Sequence, residues 1–175
     1  MDEQYEAELS GRRHYAFFRA GRHVATCLRS GMDWQQCDPW GCHDLRAAPS
    51  AAIPFVAYSG PWARARDAWR RAGCVSADRA GRVFDDYVAF ALDAHPEDAM
   101  AVAMAEYEVA QVLRDGGADD EECWRWLRGV KFAWRGELED MWPVIDHVGA
   151  CLLHRDVPMS EISRLVDERR SLLYC

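Results

Sequence analysis

No run of apolar residues in this chain approaches the roughly 20 that a bilayer-spanning helix requires. The first 30 residues mix Glu, Arg and His with aromatics and hold no apolar stretch of the signal-peptide kind. A cytoplasmic protein without membrane contact is the expectation. A Gly-rich phosphate loop, a nucleophile elbow and an H-E-x-x-H pair are also absent, so no motif names a reaction. There is no alternation of strand and helix patterns, which removes the doubly wound α/β folds. Lysine is nearly missing, with Lys131 the only one among 21 basic residues. Cysteine is not scarce, but the seven (27, 37, 42, 74, 123, 151 and 175) are odd in number and scattered. A chain of this length does not need disulfide staples, so these thiols are expected to be small core residues in a reducing compartment.

Half of the 175 residues are apolar and 29% are charged, which is a globular composition with enough length for one hydrophobic core. Eight tryptophans must be spent in that core or at an interface. The net charge of −8 is concentrated: between Asp93 and Glu122 ten acids face Arg114 alone. A field of this sign repels phosphate and attracts basic surfaces. Part of it also fits the preference of acids for helix N-termini, where Glu97, Asp98 and residues 119–122 are expected to lie.

The periodicity is helical along most of the chain. Residues 3–30 carry Tyr5, Leu9, Tyr15, Phe18, Val24 and Leu28 at helical spacing, with Gly11 a candidate break. Residues 31–58 lose periodicity, hold Pro39, Gly41, Pro49 and Pro54, and read as one long loop, with 53–58 extended. Ser59-Gly-Pro61 reads as a helix start, leading to Trp62, Ala65 and Trp69 on one side and Arg64, Arg66, Arg70 and Arg71 on the others. Further helices are expected over 77–94, 96–114, 119–134, 137–154 and 160–173. The one at 96–114 has a narrow wet stripe of Glu97, Glu108, Gln111 and Asp115 and reads as central. Asp119 and Glu122 have capping-box spacing. In the helix that follows, Cys123, Trp126, Leu127, Val130 and Trp134 are expected to point inward. The fold expected is all-α: a single domain over 1–175, a bundle of about six or seven helices with one long loop near 31–58.

The densest chemistry is Cys37-Asp-Pro-Trp-Gly-Cys-His43. Its cysteines are spaced C-x4-C, with no second pair to complete a zinc knuckle, although His23 and Cys27 lie one helical turn apart nearby. His147 and Cys151 repeat the His23–Cys27 spacing, and two such helices side by side would offer a His2Cys2 set. Isolated cysteines are mostly buried, so neither metal set is favoured, and no metal or cofactor is expected. Cys42 beside His43 does not make a catalytic dyad, because neighbouring residues rarely aim at each other. Pro39 and Gly41 are read as shaping a turn that carries Trp40.

Ser160-Glu-Ile-Ser-Arg-Leu-Val-Asp-Glu-Arg-Arg-Ser-Leu-Leu-Tyr174 resembles the helix-turn-helix stretch of resolvase-type regulators. The resemblance implies DNA contact through Arg164, Arg169 and Arg170. It covers under a tenth of the chain, with Asp167 where that motif has its turn glycine and Glu168 where an apolar residue is usual. The same residues read as one uninterrupted amphipathic helix, and that is the expectation kept.

The functional reading is therefore an acidic protein-interaction module. It would act on a basic protein surface, with a nucleic-acid-handling complex as one such target (an inhibitor or adaptor of antirestriction or anti-CRISPR type), and without direct nucleic-acid binding. Its partner-binding residues would be Trp40, Glu97, Glu108, Asp115, Asp119, Asp120, Glu121 and Glu122. The alternatives are the helix-turn-helix regulator and a metal-dependent or thiol enzyme.

Overall fold

The computed structural model describes residues 3–30, 52–73 and 75–174. Seven helices are found among them: α1 (Glu3–Ser30), α2 (Ile53–Arg71), α3 (Phe84–Asp93), α4 (Pro96–Asp115), α5 (Asp120–Asp140), α6 (Trp142–Leu152) and α7 (Met159–Leu173). The described residues contain no strand, and the all-α bundle is the fold. None of these helices is long and apolar enough to cross a membrane. The loop segment 37–43 and its Trp40 lie outside the described residues.

Several helix ends follow their local chemistry. Asp119 caps α5, its carboxylate accepting from Glu122 N–H at 2.8 Å while Glu122 returns a bond from Asp119 N–H at 3.1 Å. Pro96 opens α4, and Gly117 leaves it with φ of 94°, a conformation that suits glycine. α1 runs through Gly11 without a break.

Three expectations near the N-terminal half need correction. Residues 53–58 are helical, not an extended end of the long loop, because Pro54 rather than Pro61 occupies the first turn of α2. Pro61 sits inside the helix. Its lost backbone bond is outweighed by burial of Phe55, Val56, Tyr58 and Trp62 around it. The helix expected from residue 77 begins only at Phe84. Asp78 holds the preceding segment as a closed loop: its carboxylate accepts from Ala80 N–H (2.8 Å), Arg82 N–H (2.9 Å), Arg82 Nε (2.6 Å) and Tyr87 Oη (2.8 Å). Burial opposes ionisation there, but those donors hold the carboxyl down to about 2. Further on, residues 137–140 finish α5 rather than start α6, whose first turn contains Pro143.

The central helix is α2, not α4. Most of α2 is buried, whereas α4 buries only Asp98, Val102 and Ala110 and leaves Met100, Met104 and Tyr107 exposed. Trp62 is wholly buried, in edge contact with Phe84 and Trp142, and Trp69 packs edge-on to Phe84 and Tyr87. From the other side come Leu138, Met141, Ile145, Val148, Ile162 and Val166. Helix α1 crosses α2 so closely that a Cβ on Gly21 would lie 2.6 Å from Ser59 O and 2.8 Å from Ala63 Cβ.

That crossing makes a stability contrast between glycines. Gly21→Ala must push α1 off the α2 backbone and should cost about 1–3 kcal/mol in urea denaturation. Gly129→Ala, in α5 where an added Cβ meets nothing within 4 Å, should instead gain up to about 1 kcal/mol from helix propensity. Equal stability of Gly21→Ala and the parent protein would refute the close crossing.

Candidate functional site

Helix α4 displays Glu97, Glu108 and Asp115 at spacings of eleven and seven residues, which brings them to one stripe of a helix with 3.6 residues per turn. All three are exposed, and no ion pair engages them among the described residues. Met104 falls on the same stripe and is 58% exposed.

Apart from Asp93 at the end of α3, which is exposed, the rest of the acidic field is already in use. Asp98 is buried against Arg22 of α1. Burial pushes its carboxyl upward while the guanidinium opposes that shift. Glu106 pairs with Lys131, Asp120 with Arg114 at 2.8 Å, and Glu121 with Arg125 at 3.1 Å. Asp119 and Glu122 close the capping box. Exposed pairs such as these contribute little stability, but they do cancel much of the long-range field. Of the seven partner-binding acids expected from sequence, Glu97, Glu108 and Asp115 keep uncompensated charge, while the 119–122 quartet serves the start of α5.

Beside the stripe, α4 and α5 enclose a groove of about 390 Å³. Val109, Trp126, Leu127, Val130 and Trp134 make it apolar, and Glu106, Glu108 and Lys131 line it as well. Trp126, expected inward, is 47% exposed, because α5 buries fully only Cys123 and Leu138. Trp124 and Phe132 are more exposed still. An apolar groove and the acid Glu108 therefore meet between two neighbouring helices, whereas Phe132 lines a separate cleft toward α3. The sequence offered one sign of it, the surplus of aromatics in 124–134 over what one buried stripe can absorb.

The other constellations are distributed differently. The His2Cys2 set is not assembled. Cys27 lies 3.9 Å from Ser163 Oγ of α7, with its thiol pushed up to about 11, chiefly by burial. Cys151 Sγ stands 3.7 Å from His147 Nε2 and 3.9 Å from Arg155 Nη2, and that guanidinium is itself held by Glu161. No group of three or more His, Cys, Asp or Glu among the described residues is placed to hold a metal ion. The arginines of α2 are tied down: Arg66 to Glu139, Arg70 to Asp67 and Asp146, Arg71 to Asp67, and Arg64 to His95 Nε2 at 3.0 Å. They do not form an open basic face. Residues 159–173 form one helix with Ile162 and Val166 buried and Leu172 exposed, so the turn of a helix-turn-helix is absent at Asp167. Arg164 pairs with Glu168, Arg169 donates to Asp140 O, and Arg170 donates to Leu28 O.

No family model, curated protein or solved structure matches this chain.

His23 gives a pH test of this arrangement. Burial first, and Arg19 second, lower its pKa from 6.5 to about 4. As pH falls below 6.5 the unfolded chain takes up the proton before the folded one does. Stability associated with neutral His23 is therefore complete above 6.5 and is lost as pH falls toward 4, by up to about 3 kcal/mol at 1.36 kcal/mol per unit. Urea midpoints across that window should fall more steeply for the parent protein than for His23→Gln. Parallel profiles would show that the imidazole titrates freely.

Proposed function

We propose that this chain is an acidic protein-interaction module whose docking face is α4 together with the outer side of α5. The observation that carries the reading is the coincidence, on two adjacent helices, of three uncompensated acids and an apolar groove walled by two tryptophans. Charge of one sign speeds and orients encounter, while burial of aromatic anchors sets how long a complex lasts. The fitting partner is a basic protein surface that presents an apolar side chain among its cations. Surfaces built to hold phosphate have this charge, so a nucleic-acid-handling complex is the partner class to test first, with inhibition or adaptation of that complex as the consequence.

The test separates the two contributions, using a partner recovered from the source cells and identified by mass spectrometry. Glu97→Gln, Glu108→Gln and Asp115→Asn together remove the uncompensated charge without touching the α5 cap. They should slow association roughly tenfold at low salt and flatten its salt dependence, with little change in dissociation. Trp126→Ala should do the reverse and speed dissociation by tenfold or more, as expected for a central anchor. An unaltered on-rate at low salt in the triple variant would reduce the acidic stripe to a solvated helix face.

A further inference from the structure

The side of α5 turned away from α4 has the opposite electrostatic character. A cleft of about 420 Å³ lies between it and α3. Its apolar surface comes from Val88, Leu92 and Phe132, with Tyr58 of α2 beneath. Three cations of α5, Arg128, Lys131 and Arg135, line the same cleft, and among the described residues Asp85 is the only acid that does. In a chain of net charge −8, this is a local excess of positive charge over an apolar floor.

The three cations are not equivalent. Lys131 is engaged by Glu106. Arg135 reaches Asp85 at 3.1 Å and lies over the Phe84 ring at 4.4 Å, which fixes its position. Arg128 has no hydrogen bond or ion pair among the described residues, so its five N–H donors are available. Tyr58 is 5% exposed, and burial, with Asp85 adding to it, pushes its hydroxyl up to about 12. It stays a neutral wall at any physiological pH. Phe132, by contrast, is 79% exposed and presents a ring face beside the cations.

We infer that this cleft binds a small aromatic anion, its rings against Phe132 and the α3 side chains and its acid group at Arg128. The volume is within the ordinary range for small-molecule sites, and the combination of an apolar floor with a few convergent polar groups is what such sites use to fix orientation. A carboxylate or sulfonate suits the fork of a guanidinium better than a point cation would. An acid without rings would leave the floor unused, and rings without an acid would forgo the guanidinium. The chemistry therefore calls for both in one molecule.

The experiment uses the full chain and a matched pair of fluorescent probes, anilinonaphthalene sulfonate and its uncharged relative phenylnaphthylamine. The sulfonate should bind at one site per chain and clearly more tightly than the neutral probe. Arg128→Gln should weaken the sulfonate roughly fivefold to tenfold, the worth of one charged hydrogen bond, and leave the neutral probe unchanged. Phe132→Ala should weaken both. Both side chains are exposed, so circular dichroism should show the parent fold in each variant. Leu172→Ala, exposed on α7 and lining neither groove of α5, serves as the control and should change neither affinity. Equal affinity for the two probes, loss of sulfonate binding in Trp126→Ala but not in Arg128→Gln, or full displacement by inorganic phosphate at equimolar concentration would each overturn the proposal.

Discussion

Two consecutive phenylalanines of α1 are each seated on a glycine of a different helix, and the rest of the bundle depends on this arrangement. The Phe18 ring occupies the place where a Cβ on Gly60 of α2 would lie, at 2.8 Å, and the Phe17 ring does the same at Gly149 of α6. Gly21, one turn beyond, lets the α1 backbone approach Ser59 and Ala63 of α2. Any side chain at these positions would separate helices whose contact is backbone-close, and a packed interior has no slack to absorb the displacement. The consequences extend to α4. Phe18 stacks on His95 at 4.3 Å, and Arg22 lies over Phe18 at 4.5 Å and pairs with buried Asp98. One face of α1 thus fixes α2, α6 and the start of α4. Removing one partner of a buried ion pair leaves an uncompensated charge in the interior, so Arg22 and Asp98 depend on each other where α1 meets the start of α4.

Because α2 is surrounded on nearly every side, the fifth helix has little of it left to cover. Trp134 packs on Phe55 and Tyr58, and Leu138 is wholly buried, but the N-terminal two-thirds of α5 is held by its cap, by Cys123 and by ion pairs with α4. Gly129 faces open space there, which no well-packed helix would require. Few buried apolar contacts mark the segments that open most readily, and binding surfaces are drawn from them. The clefts on either side of α5 follow from the same constraint: a helix that touches the core along one edge leaves a gap on each flank.

How far this was legible from sequence depends on the range of the interaction concerned. Asp119 with Glu122, Pro96 and the single amphipathic helix at the C-terminus are local patterns, and they hold. The start of α2 was misread because Pro61 and Pro54 offer the same local signal, and burial of residues 55–62 decides between them. The late start of α3 depends on one carboxylate collecting four donors, which no periodicity records. Amphipathic width made α4 look central, yet width says only how much apolar surface a helix has, not whether a neighbour covers it. Met100, Met104 and Tyr107 show that much of it is uncovered. In the site the same division appears. The surplus of acids was countable, but which of them are cancelled rests on pairs that cross between helices, such as Asp98 with Arg22 and Glu106 with Lys131.

Net charge is therefore a poor guide to this protein until its compensation is known. Among the described residues the charge divides into an acidic stripe on α4, a cap and exposed pairs at the start of α5, and a cationic flank on the far side of α5. Lys131 belongs to both flanks, since it lines the α4 groove and the α3 cleft and pairs with Glu106. Whether the α4 side keeps a bare charge at Glu106 is thus set by that one pair and not by the count of acids in the chain.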